Sequence, residues 1–195
     1  GFPAHAKLSL GYCWRNGPGI SGTLQLELKG SPWRLTARFG ASCSEWSASV
    51  KMPETRFSEN DNVCLTLLDK YPVDAVSNLT FSGSVALNAK VERTFRRPVP
   101  VWAVKLPVKD LSVGLTMDDK PYAVTGLSVT PAASGIADHI DIAPMFLRAK
   151  SISACGFELA APHATVRATE KSLQVTEASA GICGGHYTGA GGFIF

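Results

Sequence analysis

The sequence predicts an all-β fold, mainly an antiparallel meander, built as an elongated, twisted or half-open sheet or a sandwich. Three observations carry that expectation. Stretch after stretch alternates apolar with polar residues, the period of a strand with one buried face. Turn signals such as Asn16-Gly17, Pro18-Gly19 and Gly30-Ser31-Pro32 separate the stretches at short spacing. The chain also carries 18 Gly and 12 Pro among many Thr, Val and Ser, a composition that favours strands and turns over helices.

Residues 4–14 alternate, with Ala6, Leu8, Leu10 and Tyr12 on one side and Lys7, Ser9 and Gly11 on the other. A second strand at 20–29 puts Ile20, Leu24, Leu26 and Leu28 on one face. Trp33, Leu35, Ala37 and Phe39 make a third, and Trp46, Ala48, Val50 and Met52 a fourth. The gaps between them are too short for a parallel crossover, so the four form an antiparallel meander. The pattern changes after Pro53. Ser58-Glu59-Asn60-Asp61 offers capping side chains, and Val63, Leu67 and Leu68 recur at helical spacing before Tyr71-Pro72, which predicts one short helix near 60–70.

Strands resume at 78–95, where Leu79, Phe81, Val85 and Leu87 alternate with polar partners. Arg96-Arg97-Pro98-Val99-Pro100 reads as a stiff connector, because proline cannot donate to a central ladder. It divides the chain into an N-terminal β region, 1–97, containing the helix, and a C-terminal β-repeat region, 98–195, unless the two are one continuous domain. Trp102, Val104 and Leu106 form the next strand, and Leu111, Val113, Leu115 and Met117 the one after it. Asp118-Asp119-Lys120-Pro121 turns the chain into Tyr122, Val124 and Gly126, and the slip to Leu127 and Val129 predicts a bulge. Residues 131–139 read as loop. Four or five more strands follow over 140–147, 152–159, 164–168, 173–178 and 185–195, at the cadence of an all-β architecture.

The net charge is only +3, and apart from Arg93, Arg96 and Arg97 the basic residues are scattered, so a nucleic-acid partner is not expected. No apolar run approaches the ~20 residues of a membrane-spanning helix. A chain that begins at Gly1 and closes on Phe193-Ile194-Phe195 reads as a segment of something longer.

No constellation of nucleophile, base and orienting acid assembles from the sequence, so no enzyme is expected. His139 stands between Asp138 and Asp141, an arrangement that fits a base or a metal ligand as well as a polar loop. His163 follows Pro162 in an expected turn, and His186 follows Gly184-Gly185 without a nucleophile-elbow or phosphate-loop pattern. Asp118-Asp119 beside Lys120 reads as a solvated turn, not a calcium loop. The five cysteines, Cys13, Cys43, Cys64, Cys155 and Cys183, lack metal-binding spacing, and either pair as disulfides or act as small buried apolar residues. No metal or cofactor is expected. Trp14, Trp33, Trp46 and Trp102 either pack inside or present a sugar platform, Trp14 being the one most open to solvent.

The last third of the chain, with Leu173, Val175, Ala178, Gly184-Gly185 and Gly189, resembles the C-terminal repeat unit of the AsmA-like family of bacterial envelope proteins, which includes the TamB and YdbH types. The run from Leu106 to Leu111, followed by Tyr122 to Leu127, is similar to YdbH-type chains. Cys183 stands where the family usually has an aromatic residue. The resemblance implies a half-open sheet whose apolar face shelters or passes phospholipid or another apolar ligand, within a periplasmic or cell-envelope protein that has membrane-associated partners. On that reading Leu111, Val113, Leu115, Met117, Leu173 and Val175 form the lipid-binding face. The same residues would fill a closed core in a secreted β-sandwich that binds carbohydrate or protein, which is the alternative expectation.

Overall fold

The computed structural model describes residues 4–13, 19–28, 32–42, 45–61, 77–137, 139–169 and 171–194. Among them the regular structure is entirely strand, and the strands join in one antiparallel hydrogen-bonded sheet. The helix expected near 60–70 falls almost wholly on 62–70, outside the described residues.

The chain forms two compact units, each assembled from three stretches of chain. The first comprises Gly1–Thr55, Ala86–Leu106 and Ala132–Asp141, and the second Arg56–Val85, Pro107–Pro131 and Ile142–Phe195. The sequence-based boundary at residue 97 instead falls inside a hairpin of the first unit.

In the first unit, β1 (Ala4–Cys13), β2 (Gly19–Leu28), β3 (Arg34–Ser42) and β4 (Trp46–Ser58) form the expected meander. Leu8 lies opposite Leu24, Leu24 opposite Ala37, and Ala37 opposite Val50, so the apolar residues share one face. The far half of β5 (Ser77–Thr94) pairs with β6 (Arg97–Lys105). β6 then pairs with β9 (Ala132–Ile136) over Val101–Lys105. Pro98 and Pro100 lie outside that second pairing, in the part of β6 with a neighbour on one side only, where a missing N–H costs no ladder bond.

β9 corrects the expectation of a loop over 131–139. Its small residues give no hydrophobic alternation to read, yet they are what the position requires. The Trp102 ring lies so close over Gly135 that a Cβ there would come within 2.6 Å of it. β10 (His139–Ile142) adds to β9.

The second unit is built from the near half of β5, then β7 (Val108–Met117), β8 (Lys120–Val129), β11 (Met145–Arg148) with β12 (Ser151–Ala154), β13 (Phe157–Ala168), β14 (Ser172–Ile182) and β15 (Gly185–Ile194). Where the sequence suggested one strand over 140–147, Pro144 separates β10 from β11. Where it suggested another over 152–159, Cys155-Gly156 folds the chain into a hairpin between β12 and β13. Two-residue turns with positive φ at both positions close three hairpins: Asp118-Asp119 (49° and 59°), Cys155-Gly156 (51° and 87°) and Cys183-Gly184 (49° and 77°). Their mirror-image turn geometry matches the right-handed twist of the flanking strands.

Burial along the strands is shallow. Among the described residues Val166 is the one buried hydrophobic side chain, and no large side chain is fully buried. The accessible surface is 13455 Å², against ~9000 Å² for a closed fold of this mass. Among the described residues the strands therefore present half-buried apolar faces, and no apolar interior is sealed.

Candidate functional site

Residues opposite one another on antiparallel strands share a face, so the strand registers trace one apolar surface across the second unit. Phe81 on β5 lies opposite Val113 on β7, and Val113 opposite Val124 on β8. Val124 lies opposite Ile152, and Ile152 opposite Leu159. Further along, Leu147 lies opposite Ala164, Ala164 opposite Ala178, and Ala178 opposite Gly189. Alternation would throw Leu127 and Ala164 onto the other side, because each stands an odd number of residues from Val124 and Leu159. An irregularity in each strand restores them.

These irregularities lie side by side and make a crease. Gly83 on β5 sits so close to β7 that a Cβ would be 3.0 Å from the Leu111 Cα. Asp110 on β7, at φ 49°, donates its N–H to Ser128 Oγ at 3.2 Å. Gly126 on β8, at φ 63°, donates its N–H to Ser112 Oγ at 3.1 Å. Between β11 and β12, the Lys150 N–H reaches Thr125 O at 2.8 Å, and the Ala161 N–H of β13, at φ 45°, reaches Lys150 O at 2.8 Å. The bulge expected from the Gly126 slip is thus one member of a row. Bulges bend the strands that carry them and raise the local twist, so a row of them folds a sheet along a line.

An apolar groove of about 360 Å³ lies at this crease. Leu127, Leu147, Ile152 and Leu159 wall it, Ala164, Ala178 and Ala180 keep it open by their small size, and Tyr187 on β15 stands at one side. Gly189 contributes further space, since nothing lies within 4 Å of where its Cβ would be.

The six residues chosen from sequence occupy this same face outside the groove. Leu111, Val113 and Leu115 on β7 and Leu173 and Val175 on β14 are half-buried, and Met117 is exposed. Leu111 lies opposite Leu127, Leu115 opposite Tyr122 and Leu173 opposite Phe193, whereas Met117 lies opposite Lys120. Of the small residues that shape the groove, Ala178 and Gly189 belong to the sequence pattern that carries the family resemblance, whereas Ala164 and Ala180 gave no signal of their own, because an alanine in a strand pattern reads as filler.

A histidine and a serine pair beside the groove. His163 lies within β13, not in a turn, directly opposite Ser179 on β14. The Ser179 Oγ is 2.9 Å from Nε2 and 3.1 Å from Nδ1 of the exposed His163 ring, which covers the buried serine. Among the described residues no carboxylate bonds to His163; both residues border the groove, while strand alternation turns their side chains away from the alanines beside them. His139 begins β10 and is exposed, Asp138 lies outside the described residues, and no group of three His, Cys, Asp or Glu among the described residues could hold a metal.

Cys155 and Cys183 are free and exposed in their hairpin turns, not buried. The Cys155 thiol donates to the Tyr122 hydroxyl at 3.2 Å, and that hydrogen bond is the first cause raising the phenol above its ordinary pKa. Cys43 and Cys64 lie outside the described residues, as do Trp14 and the Cys13 side chain.

The first unit holds a mixed pocket of about 390 Å³ beside Trp46, Glu45, Glu92 and Arg93. Its charged groups are engaged: Glu45 accepts from the Phe95 N–H, Arg93 donates to Pro98 O, and Glu92 pairs with Lys90. Comparison of the chain with protein-family models, curated proteins and solved structures finds no match.

Proposed function

We propose that the second unit is a non-enzymatic lipid-handling surface, which shelters or passes an acyl chain of a phospholipid or similar ligand along its apolar face within a cell-envelope protein. The observation that carries this reading is the open apolar groove at the crease, continuous with an apolar face that nothing among the described residues seals. The resemblance to AsmA-like chains supports the envelope setting and membrane-associated partners.

The energetics suit exchange more than storage. About ten methylenes at ~0.8 kcal/mol each give ~8 kcal/mol of transfer free energy, of the same order as the ~4–15 kcal/mol cost of immobilising a ligand. A tail held this way binds weakly and leaves readily. No charged wall is needed, so the polar head of the ligand stays in solvent. The carbohydrate alternative has less support, because the Trp102 ring is laid over Gly135.

The test is to purify the chain from cells, extract it with organic solvent and identify released lipid by mass spectrometry, then to titrate the delipidated protein with a fluorescent fatty acid. Recovered acyl lipid and saturable probe binding are expected. A lipid-free preparation that also fails to bind the probe contradicts the proposal.

A further inference from the structure

We infer that the outer edge of β15 is a self-pairing edge through which two copies of this chain join strand to strand. The inference rests on the edge itself, independently of the lipid reading. All ten residues of β15 are exposed, and its outer edge has no partner among the described residues. Proteins blunt such edges with Lys, Pro, inward charges or bulges. Gly185–Ile194 contains no Lys, Arg, Asp, Glu or Pro. Its one register irregularity against β14 puts the additional residue on the β14 side, between Val175 and Ala178. The edge of β1, by contrast, carries Lys7.

The hairpin geometry fixes which groups face outward. A two-residue turn makes its closing pair, Ile182 with Gly185, the hydrogen-bonded one. Tyr187, Gly189, Gly191 and Phe193 then bond inward to β14, while His186, Thr188, Ala190, Gly192 and Ile194 turn N–H and C=O to the free edge.

Antiparallel pairing about Ala190 sets Ala190 against its own copy, Thr188 against Gly192 and His186 against Ile194, all as hydrogen-bonded pairs. Between them fall the non-hydrogen-bonded positions, where side chains approach most closely. Tyr187 then meets Phe193 of the second copy, twice over by symmetry, and Gly189 meets Gly191 and leaves room for the rings. Tyr187 is 60% and Phe193 68% exposed in the single chain. Aromatic cross-strand pairs are among the more favourable ones, and a two-fold pairing closes on itself, giving a dimer and not a filament.

The test is light scattering and sedimentation of the whole chain across a concentration series. The expected result is a reversible shift from one-chain to two-chain mass. Ala190→Pro removes an N–H that bonds nothing within the chain, so it is expected to keep the strand signal in circular dichroism and stay at one-chain mass. Tyr187→Asp and Phe193→Lys are each expected to weaken dimerisation, and mixing the two variants to restore it. A wild-type chain that stays single, mass that grows without limit, dimers that survive Ala190→Pro, or a mixture no better than its components would overturn the inference.

Discussion

The strands β1 to β4 pair residue for residue, from Ala4 opposite Leu28 through to Ala41 opposite Trp46, with no added residue in any of the three ladders. In the second unit the register shifts twice each between β5 and β7, between β7 and β8 and between β13 and β14, and once between β14 and β15. Both regions are written in the same alternating format. The treatment of glycine on the apolar face differs as well. In the first unit Gly22 is roofed by the Phe39 ring and Gly135 by Trp102, whereas in the second nothing lies within 4 Å of a Cβ at Gly189 or Gly191. One format thus gives a regular ladder whose gaps are plugged by aromatic rings, and a creased one whose gaps stay open.

The largest expected effect separates plugged from open glycines. A Cβ at Gly22 would stand 2.1 Å from the Phe39 Cε1, so Gly22→Val is expected to lower the urea midpoint by an amount equivalent to about 1–3 kcal/mol. Gly191→Val meets open space and is expected to stay within about 0.5 kcal/mol of wild type. Equal losses at the two positions would erase the contrast.

Next comes ligand binding. A carboxylate in the groove must be desolvated by an incoming acyl chain, so Ala180→Glu is expected to weaken a fluorescent fatty acid by about 10-fold or more. The same change at exposed Leu10 on β1 is expected to leave the titration unchanged. A loss at Leu10 would move the binding face to the first unit.

The crease is tested by Gly126→Ala. The residue holds φ at +63°, and its Cβ would stand 2.8 Å from the Lys150 stem. A flexible lysine can yield, so the left-handed backbone dominates the cost, about 1 kcal/mol in thermal or urea unfolding. The smallest effect is a gain. Cys183 opens a mirror-image turn at φ 49°, a position that Asn occupies with less strain, and Cys183→Asn is expected to add about 0.5 kcal/mol.

The fold class was legible because period-two alternation, as in Leu111 to Met117, survives in the sequence wherever one face is buried. The Gly126 bulge was legible for the same reason, since the slip to Leu127 broke that period. Asp110 and Ala161 hold positive φ without being glycine, so the rest of the crease left no sequence signal. β9 escaped notice because its role is to be small beneath Trp102. The β12–β13 turn escaped because Cys155-Gly156 is not among the dipeptides that usually announce a hairpin. Leu111, Val113, Leu115, Met117, Leu173 and Val175 stand out by apolar alternation and by the family resemblance, which mark the broad apolar face. The groove is made by Ala164, Ala178, Ala180 and Gly189, whose contribution is the volume they leave empty.

The most direct measurement is photolabelling with a fatty acid carrying a diazirine on its tail, followed by peptide mapping of the labelled chain. Labels concentrated on Leu127, Leu147, Ile152, Leu159 and Tyr187, and displaced by unlabelled fatty acid, are the expected result. Labels confined to the first unit or spread without competition would contradict an acyl-binding groove at the crease.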